Sequence, residues 1–570
     1  MDAECTPQQV AVTNEKEGGR QKAFVLAVCL AIAFVCITVV SRCSFLYRFN
    51  DWSDVNWFLS MGHGIVDGKV PYKDLFEQKG VLIYMLFALA YLIDSGGYLG
   101  VYLIEILFAC AYLFAAYHII RLYKSRLFSM LALVPVALFT YCCAAFAMGG
   151  GAVEEFCLPQ LAFGLYVFLS YIKRGGDKIP LWQVIVSGLI SGCIFWIKYT
   201  MLAFYGAFAV LVFVDRCIKK DVKSGFLYAA LFIAGFVAAS IPWIIYLAAN
   251  KAVSELWQVY FIDNIFGYAG SKSVAQVAHN FGNTVVNLLK NIFIYILALF
   301  AMGYIVSLKG VAKRFKVYHI AIFAVLFFIQ CILYGSHLYY HLAVAVYVPL
   351  GIAGADRCAC GLFAAVKASH SKRRAKRAVK KGGRYIGVTF NTAYARYGYK
   401  CDVAAQKVGG LFCRVKARFV TVCAAAFLLL LLLCGNCTLE IFYSKSYYPQ
   451  LSIAERIEED AGDNDYTLLC YKIRDGGFYT ACDKSPDYYY FALNNFTREA
   501  FPELYDGQES YVINKEATYV ITDYSVWEEE KDGNLSGYGQ LDEGKVYSYT
   551  HHESNFQTEQ KEYVLLVVKA

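Results

Sequence analysis

The sequence predicts an all-α polytopic membrane protein of about eleven spans, joined to a small extracytoplasmic α/β domain at its C-terminal end. Three observations predict it. Hydrophobic residues make up 58% of the 570 and mean hydropathy is +0.44, so many runs approach the roughly 20 apolar residues that cross a bilayer. Lys and Arg gather at alternate ends of those runs, as they do in cytoplasmic loops. Beyond Glu440 the apolar runs stop and Asp and Glu become frequent, as in a folded, water-facing tail. The net charge of +8 belongs to loops between spans, and nucleic acid is not an expected partner.

The elements follow in order. Residues 1–22 form a polar cytoplasmic tail, and Ala23–Val40 is too long for a cleaved signal and lacks a small-residue cleavage site, so it is the first span. Asn50–Tyr84 is an outer loop rich in acids, bases and aromatic rings. Gly80–Ile93 is too short to cross and is expected as an interfacial helix belonging to that loop. Removing it from the span count puts the basic cluster Arg121, Lys124 and Arg126, after the span Tyr98–Ile120, on the cytoplasmic side.

The same test orders the remaining spans. Leu127–Met148 goes out to Gly149–Glu155, and Phe156–Tyr171 returns. Leu181–Ile197 goes out to Lys198, Met201–Val214 returns to Arg216 and Lys219, and Phe226–Ala249 goes out. Thr284–Leu308 returns, Val317–Tyr334 goes out to the turn Gly335–His337, and Tyr339–Ala355 returns. The expected divisions are a transmembrane domain over 23–355, a basic cytoplasmic loop over 356–418, a last span within 419–435 and the outer domain over 436–570. That loop holds sixteen Lys or Arg against two acids and suits a surface facing anionic lipid.

In the outer domain a helix is expected over Ile453–Ala461, with strands over Tyr466–Ile473, Tyr519–Thr522 and Tyr563–Val568. Cys470 and Cys482 share this side and could pair. Most other cysteines lie in or beside apolar runs and act as small hydrophobes, and the lone C-x-x-C at Cys434–Cys437 has no second pair to complete a zinc site.

Chemistry-bearing residues concentrate on the outer side. Asp51 and Asp54 follow the first span among Trp52, Trp57 and Phe58, where a partly buried carboxylate suits a general base. Lys79 stands at the mouth of the interfacial helix as a point charge for an anion. Glu154 and Glu155 begin a span, where acids also favour the helix dipole, and point about 100° apart. Lys198, in W-I-K-Y-T between two spans, needs an anionic partner: a phosphate, Glu154 or Glu155. His337, Tyr339, Tyr340 and His341 form a further outer cluster.

Two stretches resemble a known family. The run D-x-x-x-F from Asp54 to Phe58, followed by G-x-x-x-G-K-V-P-Y-K-D-L-F-E-Q-K-G from Gly64 to Gly80, is similar to the first outer loop of bacterial GT-C glycosyltransferases. These are relatives of the protein O-mannosyltransferases and the lipid A aminoarabinose transferases. G-G-G-A-V-E-E-F from Gly149 to Phe156 resembles their second outer loop. Val81 and Ala152 depart from the family pattern, which usually has Pro and a polar residue there.

The resemblance implies a sugar transferred from a polyprenyl-phosphate donor to an extracytoplasmic glycan, lipid or protein acceptor, with membrane lipids around the chain. It implies Asp54 as the base. Asp51, Tyr72, Lys79, Glu154, Glu155, Lys198, His337, Tyr340 and His341 would contact substrate. A divalent cation, Mg²⁺ or Mn²⁺, if the reaction uses one, would be held by Asp54, Glu154 or Glu155. The competing expectation is a transporter or flippase of lipid-linked saccharides, but ionisable groups gathered at one face favour surface chemistry over passage.

Overall fold

The computed structural model describes residues 18–146, 148–268, 274–333, 337–380, 417–442, 447–494, 496–554 and 557–569, and in it the long apolar runs are helices. Residues 1–17 of the expected tail, 335–336 of the expected outer turn and 381–416 of the expected basic loop lie outside the described residues. Seven described stretches are long and apolar enough to cross a bilayer: Gly19–Val40, Leu99–Arg121, Val153–Lys173, Leu181–Ile218, Val222–Ala249, Lys313–Leu333 and Leu338–Phe363. Shorter apolar helices run over Val81–Ile93, Arg126–Tyr141 and Val422–Cys434.

Close glycine contacts give the direction of the helices. A Cβ on Gly188 would meet the Phe232 carbonyl oxygen at 2.0 Å, and one on Gly192 would meet Ala239 Cβ at 2.7 Å. The two contacts advance together, so Leu181–Lys198 and Val222–Ala249 run parallel. The rings of Phe213 and Phe226 lie 5.3 Å apart across the short turn between Leu202–Ile218 and Val222–Ala249, which therefore run antiparallel. The chain thus reverses at Lys198, whose extended backbone (φ −154°, ψ 98°) ends one helix and starts the next. Leu181–Ile218 is two antiparallel helices, with Lys198 at the turn.

Two expected elements differ. Thr284–Leu308 is not one straight span: the helices Phe281–Lys290 and Ile292–Ser307 meet at 91°. The bend lies at Asn291, whose side chain accepts from Ala145 N–H at 2.8 Å and donates to the Asn287 carbonyl at 2.9 Å. Asn287, Lys290 and Asn291 interrupt the apolar pattern, which suits a helix lying along the membrane surface rather than crossing it. Cys470 and Cys482 are separate thiols, the first buried in a strand.

The outer domain is a mixed sheet of five strands, β1 Leu468–Cys470, β2 Tyr519–Asp523, β3 Tyr538–Gln540, β4 Tyr547–Ser554 and β5 Gln557–Val568. β1 pairs parallel with β2, β2 antiparallel with β5, and β5 also carries β3 and the hairpin partner β4. Both faces are buried, because alternate residues serve different cores: Leu468, Cys470, Tyr519, Ile521 and Leu565 join the core shared with the membrane helices, whereas Leu469, Val520, Val564 and Leu566 pack on Val512 of the helix Pro502–Ile513. The long strand β5 escaped the sequence reading in its N-terminal half, where Thr, Gln, Lys and Glu replace the apolar alternation.

This domain is clamped to the first outer loop. Phe76 stacks on Phe501 with centroids 5.2 Å apart and touches Tyr489, Tyr490 and Phe496. A buried ionic cluster completes the seam. Arg42 Nε donates to Glu440 at 2.9 Å, its Nη1 lies 3.5 Å from Asp51, and Asp51 pairs with His551 Nδ1 at 2.6 Å. Arg42→Met removes the cation from two buried carboxylates and is expected to cost about 3–5 kcal/mol. Thermal unfolding of the purified protein in mild detergent measures this; an unchanged midpoint would mean the cluster is not a structural clamp.

Candidate active site

Four segments bring charge to one place. The helix Ser53–Val66 starts directly after the ionic seam and carries Asp54 in its first turn. Gly149, Gly150 and Gly151 precede the helix Val153–Lys173, all in the left-handed region (φ +76°, +97° and +77°) that an L side chain avoids. A Cβ on Gly151 would stand 2.0 Å from Val55 Cγ2, so the turn presses directly on the Asp54 helix. It is tied down from the other side. Gly151 N–H donates to Glu105 at 2.5 Å, Ser41 Oγ donates to the same carboxylate at 2.7 Å, and Arg42 N–H donates to the Gly149 carbonyl at 2.6 Å. The helix that follows therefore begins beside Asp54, with Glu154 in its first turn.

Lys198, at the reversal between helices, forms a buried ion pair with Glu154 and sits over the Tyr340 ring, 3.6 Å from its centroid. Tyr340 belongs to an aromatic wall in which His337 stacks on Tyr339 at 5.3 Å and Tyr339 reaches Trp52 at 5.8 Å. Burial holds His337 down at about 4, reinforced by the positive charges of Lys198, Lys79 and Arg474, so its ring is neutral at pH 7.

The Lys79 segment is locked by its backbone. Its carbonyl accepts from the Tyr72 hydroxyl at 2.6 Å, and its N–H donates to Glu77 at 2.9 Å and to Tyr84 at 2.8 Å. Asn264 donates to the Gln78 carbonyl at 2.8 Å, and the Lys79 ammonium lies 3.7 Å from Glu77. Glu77 is fully buried and hydrogen-bonded by Tyr84. Gly80 packs where a Cβ would come within 2.2 Å of the Trp196 carbonyl, which sets the interfacial helix against the end of the Lys198 helix.

Asp54 feels all of these groups. Burial pushes it up to about 6, with Lys79 and Lys198 pulling down and Glu77 and Glu154 pushing up. Asp54, Lys79, Glu154 and Lys198 therefore share one electrostatic site, walled by Tyr340 and His337. A carboxyl that titrates near neutrality beside two ammonium groups can accept a proton while an anion is held next to it.

The other expected residues are placed differently. Against the upward push of burial, His551 and Arg42 hold Asp51 down at about 2, in the seam with the outer domain. Tyr72 is fully buried with a left-handed backbone (φ +68°) and supports the Lys79 carbonyl. Glu155 points behind the glycine turn, against Glu105. His341 bonds the Tyr295 hydroxyl next to Phe327 in the helical core. Three groups were missed. Glu77 stood two residues before Lys79 in the quoted run, Glu105 was one acid inside a span, and Arg474 gave no signal because only the docking of the outer domain brings it to His337.

Asp54 and Glu154 are the carboxylates that fit a divalent cation. Mg²⁺ commonly takes one or two carboxylates and completes its shell with water and phosphate oxygens, and Glu154 Oε2 is buried with no hydrogen-bond partner among the described residues. Among the described residues no three His, Cys, Asp or Glu side chains converge as a metal site.

No protein-family model and no curated protein matches the chain. Among solved structures, ArnT from Cupriavidus metallidurans bound to undecaprenyl phosphate is similar over 95% of this chain and 97% of its own, at 13% identity and a TM-score of 0.53. The archaeal oligosaccharyltransferase from Archaeoglobus fulgidus in its apo form aligns over 95% of this chain and 75% of its own, at 13% identity and a TM-score of 0.47. The likeness to ArnT shows a shared fold.

The raised Asp54 has a consequence for stability. Its native state holds the proton more tightly than the unfolded chain, so the ionised carboxylate costs stability, a cost absent below pH about 4 and complete above about 6. Asp54→Asn removes it and is expected to stabilise the protein by up to about 3 kcal/mol at pH 8, with the gain fading as pH falls through 6 and gone by about pH 4. Melting midpoints at both pH values test this; a destabilised variant at pH 8 would contradict the burial of the charge.

Proposed function

We propose that this chain is a glycosyltransferase that moves a sugar from a polyprenyl-phosphate donor to an acceptor hydroxyl on the extracytoplasmic face. The observation that carries the reading is the buried Asp54 carboxyl, poised at about 6, beside the ammonium groups of Lys79 and Lys198. The undecaprenyl phosphate bound by ArnT, which has the same fold, supports a lipid phosphate as the donor's leaving group. The positive loops support eleven spans with the N-terminus and the basic loop cytoplasmic and the outer domain extracytoplasmic.

In this mechanism ionised Asp54 takes the proton of the acceptor hydroxyl as its oxygen attacks the anomeric carbon. Attack comes from the face opposite the phosphate, the bond from that carbon to the phosphate oxygen breaks, and configuration inverts. The departing phosphate keeps the bonding electrons, and Lys79 and Lys198 meet that growing charge as preorganised cations. Glu154 holds Lys198 in place, and the neutral His337 and the Tyr340 ring border the sugar. Glu155, Asp51, Tyr72 and His341 act from the surrounding shell. A Mg²⁺ or Mn²⁺ ion on Asp54 and Glu154 would add positive charge at the same phosphate; the two lysines supply such charge from the chain itself.

Purified protein given a radiolabelled polyprenyl-phosphate sugar and an acceptor extract is expected to release polyprenyl phosphate. Because Asp54 must be ionised, the rate should rise with pH through about 6. Asp54→Asn should lower it by about 10²–10⁴-fold, the usual contribution of a general base, and flatten the acid limb. Full turnover in that variant would remove Asp54 as the base, and transport of intact donor without cleavage would favour a flippase.

A further inference from the structure

At the end of the bundle opposite Asp54, the helices Leu181–Lys198, Leu202–Ile218 and Val222–Ala249 close with Val167 around a crevice of about 180 Å³. Val184, Phe208, Val212, Phe232 and Ile233 make it apolar, and Leu189, Val210, Val214, Phe226 and Val237 on the same helices are exposed, as expected for surface facing lipid. Ser187, only 1% exposed, lines the crevice with a hydroxyl that has no hydrogen-bond partner among the described residues.

The end of the crevice is cationic. Asp215 is fully buried and faces Arg314 Nε at 2.7 Å, Lys219 at 3.5 Å and Arg216 at 3.7 Å. Arg216 also lies 3.5 Å from Asp221, toward which Lys178 is turned electrostatically. Four cations thus face two carboxylates. Gly225 joins the two features, since it lines the crevice and a Cβ on it would lie 3.3 Å from both Arg216 Cβ and the Phe213 ring. Arg216 is 3% exposed and its Nε has no hydrogen-bond partner among the described residues, whereas Lys219 and Arg314 reach the surface.

We propose that this is a binding site for an anionic glycerophospholipid, with one acyl chain in the crevice and its phosphate at Lys219 and Arg314. At this depth hydrocarbon is the material available to fill an apolar space, and basic pockets between spans on the cytoplasmic side select anionic head groups. The site is separate from the Asp54 chemistry and does not depend on it.

The test uses full-length protein stripped of lipid in detergent and then mixed with phosphatidylglycerol or phosphatidylcholine, with bound lipid counted by native mass spectrometry. Phosphatidylglycerol is expected to be retained in preference to phosphatidylcholine. Two independent changes should reduce that retention: Lys219→Ala with Arg314→Gln by about tenfold or more through lost charge, and Ala229→Phe by filling the crevice. Circular dichroism confirms that each variant is folded, and an unfolded charge variant leaves Ala229→Phe to decide. Equal retention of the two lipids, retention unchanged in both folded variants, or polyprenyl phosphate displacing phosphatidylglycerol from this site would each overturn the proposal.

Discussion

The ion pair between Lys198 and Glu154 is the interaction on which the Asp54 end of this membrane fold depends. Neither group could be buried alone near the bilayer without a penalty of several kcal/mol. Together they fasten the end of one helix to the start of another, and Tyr340 covers the ammonium. The same pairing gives Asp54 its surroundings. With Lys198 largely committed to Glu154 and Lys79 close to Glu77, the two cations are partly neutralised, so burial prevails and the Asp54 carboxyl stays near neutrality instead of being driven down as Asp51 is. Two aspartates three residues apart thus have opposite character because their partners differ.

Backbone geometry makes that arrangement possible. The three left-handed glycines before Val153 form a turn flat enough to lie on Val55, and Glu105 and Ser41 hold it there from the first two long spans. The outer domain acts on the same region from the other side, through Phe76 in its aromatic pocket and the Arg42, Asp51, Glu440 and His551 cluster just before the Asp54 helix. In the proposed reaction these contacts keep the base from shifting while the acceptor and donor come and go.

Much of this was legible in the sequence, and the reasons are physical. Apolar runs bounded by Lys and Arg mark spans because the bilayer enforces both length and charge bias, and Asp54, Lys79, Glu154 and Lys198 were visible as charges at the ends of such runs. Local pattern failed where distant partners decide. Asp51 looked like a second acid of the site, but its partner His551 lies 500 residues away. The bend at Asn291 depends on a hydrogen bond to Ala145, so the run around it read as one span. Glu155 resembled its neighbour Glu154 until the glycine turn, tied to Glu105, separated their directions. The first half of β5 has polar residues at most positions, and only pairing with β4 makes it a strand.

In the proposed reaction Lys79 and Lys198, brought together beside Asp54, receive the phosphate of a polyprenyl carrier. A cryo-electron-microscopy map of the purified protein with added polyprenyl phosphate tests it most directly. The account predicts phosphate density within ion-pairing reach of both ammonium groups, facing Asp54, with the prenyl chain leading away between the spans. A phosphate bound elsewhere on the molecule, with the space between Lys79 and Lys198 closed, would contradict it.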